Sequence, residues 1–96
     1  MRVAFSTEAR SDIRSIATFI ATDNPVRAVR FISEVEAACL GLGAHPQRFA
    51  LLPGFERLEY RRRPIASYAI IYAVGESITI IRVLHSAMDL AAALGD

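Results

Sequence analysis

Residues 67–85 read SYAIIYAVGESITIIRVLH, and this stretch decides the fold because it holds two strand patterns separated by a turn. Residues 67–74 and 77–84 are both rich in β-branched and aromatic side chains, which favour strands. The Gly75-Glu76 pair between them is typical of a hairpin turn. The sequence therefore predicts a β-hairpin in the second half of the chain.

The first half of the chain has a helical period instead. Apolar residues recur three or four positions apart over residues 9–20 and again over residues 28–42, as they do on one face of an amphipathic helix. Asn24 suits a helix N-cap, and Pro25 suits the first position of the following helix. Two helices joined by about four residues are expected to form an antiparallel hairpin.

Short segments complete the predicted fold. Gly41 and Gly43 predict a left-handed end to the second helix. Alternation predicts a first strand over residues 2–6 and another over residues 57–61, and the Ala-rich residues 87–94 predict a terminal helix without a strong cap. Helices gathered on one face of a mainly antiparallel four-stranded sheet make an α+β fold.

Composition excludes several classes of protein. The 96 residues are 53% apolar with a net charge of +1, which excludes a disordered linker and a strongly basic chain, so residues 1–96 are expected to form one domain. All eleven cationic side chains are Arg, and the single Cys39 excludes an internal disulfide. No metal-ligand spacing and no membrane-spanning apolar stretch is present. Neither a metal nor a cofactor is expected, and the expected compartment is the cytoplasm.

Arginines of the second half are candidate binding residues. Arg57, Arg61 and Arg63 should share one strand face, with Glu59 between them. Arg82 lies among four aliphatic residues, so either its sheet face is open or it pairs with an acid such as Glu59. A sheet with helices on only one face leaves a second face open, where Arg side chains would contact an anion or an acidic protein. The alternatives are a solvated strand end and a structural ion pair.

Other side chains allow a functional or a structural interpretation. His85 follows the last predicted strand and could act as a general acid or base on a phosphodiester, or serve as a hydrogen-bonded structural residue. Tyr68 and Tyr72 should share a strand face, for sheet packing or for base stacking. Cys39 lies on the apolar helix stripe and is predicted to be buried. The residues alone indicate a small α+β domain with a basic sheet face.

Two motifs resemble one known superfamily. The helical half reads Ala9-x-x-Asp12-Ile13-x-x-Ile16-x-x-Phe19-Ile20-Ala21-x-Asp23-Asn24-Pro25-x-x-Ala28-x-Arg30-Phe31. The second half contains Tyr68-x-x-x-Tyr72 and then Ile81-Arg82-Val83-Leu84-His85-x-x-Met88-Asp89. Over residues 5–95 the chain resembles the RelE/ParE toxin superfamily. The resemblance implies the same α+β fold and a toxin of a bacterial type II toxin–antitoxin pair.

The superfamily has two branches with different targets. ParE-like members bind DNA gyrase and trap it on cleaved DNA, whereas RelE-like members are metal-independent, ribosome-dependent mRNA endonucleases. Those nucleases are rich in Lys and Arg, but this chain has no Lys and no aromatic residue after Tyr72, and its ending resembles the ParE side. The alternative is the endonuclease, with His85 transferring a proton and Arg82 stabilising the phosphorane.

The resemblance also implies site residues and partners. In the ParE-like branch no catalytic residue is expected, and the target is expected to be bound by Arg61, Arg63, Arg82, His85, Met88 and Asp89. The expected partners are DNA gyrase and a cognate antitoxin of the ribbon-helix-helix, ParD-like class, in a complex of at least two chains of each. The antitoxin is expected to dock on the open sheet face, on an uncapped strand edge or in a groove beside the helical hairpin.

Overall fold

The computed structural model describes residues 1–95 and confirms the α+β fold. Its elements are β1 (Val3–Phe5), α1 (Thr7–Asp23), α2 (Pro25–Gly41), a 3-10 turn (Glu56–Leu58), β2 (Tyr60–Ile65), β3 (Tyr68–Val74), β4 (Ile78–His85) and α3 (Leu90–Leu94). The four strands form one sheet in the order β1-β4-β3-β2. β1 runs parallel to β4, and the other neighbours are antiparallel.

The helical hairpin forms where local capping signals place it. The Ser6 Oγ accepts a hydrogen bond from the Ala9 N–H at 2.9 Å and caps α1. The Asn24 Oδ1 accepts from the Arg27 N–H at 3.1 Å and caps α2, whose first residue is Pro25. Asn24 alone separates the two helices, so the connection is shorter than the four residues that the sequence predicts.

One face of the sheet packs against the helical hairpin. The buried members of this core are Ala9, Ile13, Phe31, Val35, Cys39, Leu42, Ile70, Tyr72, Ile78, Ile80 and Val83. A β-bulge in β4 leaves Ile81 without a partner on β3, because Tyr72 pairs with Ile80 and Ile71 pairs with Arg82. The extra residue allows Ile80 and Val83 to enter the same core although three positions separate them.

The second face of the sheet is also covered, and the prediction of an open face is therefore wrong. Leu52, Ala69, Ile71 and Leu84 form a second buried cluster there. The covering side chains come from the segment before β2 and from α3, and they are Phe55, Leu90, Ala93 and Leu94. These segments show no clear period in the sequence, but their apolar residues fold back over the sheet because burial removes them from water.

The edge of the sheet at β2 is closed by the chain itself. The Leu52 N–H donates to the Tyr60 carbonyl at 2.7 Å, and the Arg62 N–H donates to the Ala50 carbonyl at 3.2 Å. The next residue of β2 with the same orientation is Pro64, which has no N–H. A partner strand therefore has no free ladder to join along this edge.

The predicted strand alternation over residues 57–61 is wrong before Tyr60. Arg57 lies in the 3-10 turn, and Glu59 follows that turn with a left-handed φ of 56°. β2 itself keeps the alternation, because Arg61 and Arg63 pair with Tyr72 and Ile70, which belong to the helix-side core. The arginines that share a strand face are therefore Arg61 and Arg63, without Arg57.

α1 completes the edge of β4 where β1 has ended. The Ser6 N–H donates to the Ile80 carbonyl at 2.9 Å, and the Ser6 hydroxyl donates to the Ile81 carbonyl at 2.7 Å. Nearly two helical turns later, the Asp12 Oδ2 accepts from the Val83 N–H at 2.9 Å. Two polar side chains thus replace the missing strand, which leaves fewer backbone groups of β4 unpaired.

The carboxylate of Asp12 also binds Arg82. The Arg82 Nε donates to Asp12 Oδ2 at 2.7 Å and Nη2 donates to Oδ1 at 2.9 Å, in a bidentate ion pair. The third guanidinium nitrogen, Nη1, donates to the Ala93 carbonyl of α3 at 3.0 Å. The hydrogen bond with Asp12 raises the pKa of Arg82. The structural ion pair is therefore present, but its acid is Asp12 rather than Glu59.

Gly43 is required by a close backbone contact and not by a left-handed helix end. Among the glycines of residues 1–95, only Gly54 and Gly95 have positive φ, so the predicted left-handed end at Gly41 and Gly43 is wrong. A Cβ on Gly43 would lie 2.5 Å from the carbonyl oxygen of Met1, whereas a Cβ on Gly41 would meet nothing within 4 Å.

We expect the substitution Gly43→Ala to lower the free energy of unfolding by about 1–3 kcal/mol, because the new methyl group must push the backbone of Met1 away. The matched control is Gly41→Ala, which should leave stability unchanged or raise it by up to about 1 kcal/mol since alanine favours helix. Urea denaturation measures both values. Equal midpoints for the two variants would contradict the assignment.

We expect Asp12→Ala to lower the free energy of unfolding by about 2–4 kcal/mol, because it leaves the half-buried Arg82 guanidinium without its anion and the Val83 N–H without an acceptor. Asp23→Ala removes an exposed carboxylate of the same helix, and it should change stability by no more than about 0.5 kcal/mol. Thermal and chemical denaturation test the pair. A loss for Asp12→Ala as small as that for Asp23→Ala would refute the role of this carboxylate.

Candidate functional site

Three arginines contact Phe49 on the helix side of β2, two at its ring and one at its backbone carbonyl. The guanidinium carbon of Arg63 lies 5.1 Å from the ring centroid, and that of Arg48 lies 5.4 Å from it. The Arg61 Nη1 donates to the Phe49 carbonyl at 2.7 Å. We call these four residues the Phe49 cluster. Cation–π contacts and a backbone hydrogen bond hold its three guanidinium groups in place.

A buried tyrosine fixes the loop that carries the Phe49 cluster. The Tyr72 side chain is fully buried, and its hydroxyl donates to the Pro46 carbonyl at 2.9 Å. Burial raises the pKa of Tyr72, although the charges of Arg61 and Arg63 oppose that shift. Tyr72 therefore remains a neutral donor near neutral pH. It holds the start of this loop against the sheet, a few residues before Phe49.

Among residues 1–95, no carboxylate pairs with the arginines of the Phe49 cluster. Within residues 1–95 the one ion pair shorter than 4.0 Å joins Arg82 to Asp12. Arg48 is exposed, while Arg61 and Arg63 are half-buried, so all three retain donors that face solvent. Arginine forks of this kind suit carboxylate or phosphate groups. The cluster therefore has the chemistry of a contact surface for anionic groups.

A groove runs between the turn of the helical hairpin and the β2–β3 turn. It has a volume of about 920 Å³, and we call it the hairpin groove; its main lining residues are Phe19, Val26, Arg27, Arg30, Tyr68 and His85. The Phe19 side chain is 74% exposed and Val26 is 70% exposed. The groove therefore combines exposed apolar side chains with two cations and with the acids Asp23 and Glu34, a mixture typical of protein-binding surfaces.

His85 closes one end of the hairpin groove. Its ring meets the ring of Tyr68 edge to face at 5.5 Å, and Tyr68 meets Phe31 in the same way at 5.2 Å. The His85 Nδ1 accepts a hydrogen bond from the Ala87 N–H at 3.1 Å. In the neutral form, the imidazole therefore carries its proton on Nε2, and the lone pair of Nδ1 accepts the hydrogen bond from Ala87.

Arg82 and His85 point to opposite faces of the sheet. Arg82 pairs with Ile71 of the second-face cluster, whereas His85 pairs with Tyr68, which packs on the helix side. The two side chains therefore cannot act on the same phosphodiester in this arrangement. All three donor-bearing nitrogens of Arg82 are also used within the chain.

The last two predicted site residues lie in the segment between β4 and α3. Met88 is 47% exposed. The Asp89 Oδ1 accepts from the Ala91 and Ala92 N–H groups at 3.1 and 3.4 Å and so caps α3. The expectation of a terminal helix without a strong cap is wrong, and the helix begins at Leu90 rather than at residue 87.

The structure thus divides the six predicted site residues among separate places. Arg61 and Arg63 lie in the Phe49 cluster and His85 lies in the hairpin groove, whereas Arg82 is neutralised at the edge of β4. The sequence analysis missed Arg48 and the apolar groove residues. The sequence did hint at a role for Arg48, because Arg48 directly precedes the aromatic Phe49 in a loop that is followed by a basic strand.

Two expectations about other residues can be compared directly. Cys39 is fully buried, and burial raises the pKa of its thiol to about 12, which confirms a packing residue. Tyr68 and Tyr72 share the helix-side face as predicted. In the part of the chain that the structure describes, there is no group of His, Cys, Asp and Glu side chains that could hold a metal ion, and no helix is long and apolar enough to span a membrane.

Comparison with known proteins gives one family and one similar fold. A solved structure described as the chromosomal ParDE TA system from P. aeruginosa has a TM-score of 0.74 and 17% sequence identity, over 88% of this chain and 95% of that chain. At this identity the likeness shows a shared fold. No curated protein matches the chain. Residues 3–90 match the family described as the ParE toxin of the type II toxin–antitoxin system parDE, and the chain therefore belongs to that family.

Proposed function

We propose that this toxin inhibits DNA gyrase by binding to it and that a cognate antitoxin neutralises it. The observation that carries the proposal is the family match over residues 3–90. The Phe49 cluster supports it independently, because a binding toxin needs a preformed contact surface and this one has three cations that form no ion pair among residues 1–95. Such a toxin would act in the cytoplasm, where gyrase and the chromosome lie.

The Phe49 cluster is the surface that we assign to the target. Its guanidinium groups are already ordered by the ring and by the backbone, so little side-chain entropy remains to be lost on binding. Charge-assisted hydrogen bonds from ordered arginines are strong and directional. Arg82, which the sequence analysis included in this surface, is left out of the proposal because Asp12 neutralises it.

The geometry argues against the endonuclease alternative. That chemistry would need a cation and a proton-transfer group on the same phosphodiester, but Arg82 and His85 lie on opposite sheet faces. The lone pair of the neutral His85 ring is also used by the Ala87 N–H. Neither observation favours a catalytic site, and both are compatible with a protein that acts by binding.

We expect purified toxin to inhibit supercoiling by gyrase and to accumulate cleaved DNA in the presence of ATP. The double variant Arg48→Gln/Arg63→Gln should need at least about tenfold more protein for the same inhibition, because it removes two charge-assisted contacts. The control Arg14→Gln/Arg57→Gln removes the same charge from exposed positions outside the cluster and should inhibit like the parent protein.

Two results would overturn the assignment to gyrase. The first is unchanged supercoiling together with no cleaved DNA at saturating toxin. The second is translation-dependent mRNA cleavage, detected by primer extension in cells, that His85→Ala abolishes. If gyrase is inhibited equally by both double variants, the target is right but the Phe49 cluster is not its contact surface.

The hairpin groove is the place that we assign to the antitoxin. Among the docking places expected from the sequence, the second sheet face is covered and the strand edge at β2 is closed. The short edge of β1 and the groove beside the helical hairpin remain. The groove fits an amphipathic segment, with Phe19 and Val26 for its apolar side and Arg27 and Arg30 for acidic groups. We propose a ribbon-helix-helix antitoxin and a complex of at least two chains of each kind.

We expect Phe19→Glu to weaken binding of the cognate antitoxin by at least about tenfold, because it places a charge in the apolar part of the groove. Leu58→Glu is the control, since Leu58 is 58% exposed and lies outside the groove. Co-purification and calorimetry measure the affinities, while the supercoiling assay shows that both variants still fold. Equal affinities for the two variants would contradict docking in the groove.

A further inference from the structure

The outer face of α2 carries an apolar stripe whose side chains are largely exposed. Val26, Val29 and Leu40 are 70%, 68% and 61% exposed, and the exposed small residues Ser33 and Ala37 lie between them. At 100° per residue, these five positions fall within a sector of about 80°. This sector lies opposite the face of α2 that is buried in the core. We call these five residues the α2 stripe.

The order of residues in the α2 stripe is symmetric about its centre. Val26 and Leu40 lie seven positions on either side of Ser33, and Val29 and Ala37 lie four positions on either side. A second α2 helix placed antiparallel across a two-fold axis at Ser33 would set Val26 against Leu40 of the second copy and Val29 against its Ala37. The two serines would meet at the axis, where small side chains permit close approach of the helices.

The flanks of the stripe carry charged residues, Arg30 and Glu34 on one side and Glu36 on the other. Arg30 and Glu34 are exposed and lie on the same flank of the stripe. In an antiparallel two-fold pair, the flank of one helix faces the same flank of the other helix. Measured along the helix axis, Arg30 of one copy is then about 3 Å from Glu34 of the other. Neither residue takes part in an ion pair among residues 1–95. Both charges are therefore available for a partner of opposite sign.

We propose that the toxin associates with a second copy of itself through the α2 stripe, as a two-fold symmetric antiparallel pair of α2 helices. The occupant is a second copy because the stripe is complementary to itself in its apolar positions and in the charges of the flank that carries Arg30 and Glu34. The contact extends over about 21 Å of one helix from each copy. Two single helices in contact over this length bury less surface area than a standard protein interface. The dimer is accordingly weak, with a dissociation constant in the range from about 1 µM to about 1 mM.

Charge exchange at Arg30 and Glu34 gives the sharpest test. Arg30→Glu and Glu34→Arg should each weaken self-association by at least about tenfold, because each sets like charges against each other across the axis. A mixture of the two variants should dimerise at least as well as the parent protein, since opposite charges then meet at both sites. The double variant Arg30→Glu/Glu34→Arg should recover self-association. Sedimentation velocity of purified toxin without antitoxin measures all four samples.

A second pair of variants tests the apolar part. Val29→Glu should abolish the dimer, whereas Leu58→Glu, an exposed residue away from the stripe, should not. Supercoiling assays confirm that each variant is folded, and they separate this proposal from the one on gyrase. A parent protein that stays monomeric up to about 1 mM, or a mixture of the two charge variants that fails to associate, would overturn the proposal. So would a dimer that Val29→Glu leaves intact.

Discussion

The rest of the structure depends on the hydrogen bonds and the ion pair that the carboxylate of Asp12 makes. This carboxylate lies on α1, accepts a hydrogen bond from the backbone of β4 and holds the guanidinium of Arg82, which in turn binds the carbonyl of Ala93 in α3. A single anion thereby links the helical hairpin, the sheet and the terminal helix. A half-buried cation among aliphatic neighbours is tolerated only because this anion compensates it.

This junction determines which surfaces remain for partners. Because Arg82 is neutralised and α3 covers the second sheet face, the cationic groups that we assign to partners lie on the helix side, at the Phe49 cluster and in the hairpin groove. The two surfaces lie at different places in the fold. A target and an antitoxin could therefore use different residues, and the contribution of each surface can be measured separately.

Features that depend on residues close in sequence could be predicted. Asn24 and Pro25 mark the start of α2 because caps act within three or four residues. The β3–β4 hairpin follows from period and turn chemistry in the same way. The partner of Arg82 could not be derived, because Asp12 is 70 positions away. A local sequence pattern does not show which residues that far apart come into contact. The cover of the second face was also missed, since the segment before β2 has apolar residues without a period.

The parallel pairing of β1 with β4 has a consequence for how the chain reaches its final form in the cell. β1 has one strand neighbour, and that neighbour begins at Ile78. During synthesis, the apolar sides of the N-terminal helices therefore stay exposed to water until most of the polypeptide has left the ribosome. Contacts between such distant segments form slowly and leave intermediates open to aggregation. A polypeptide that is released too early, before residue 78, would keep two amphipathic helices without the layer that shields them from water.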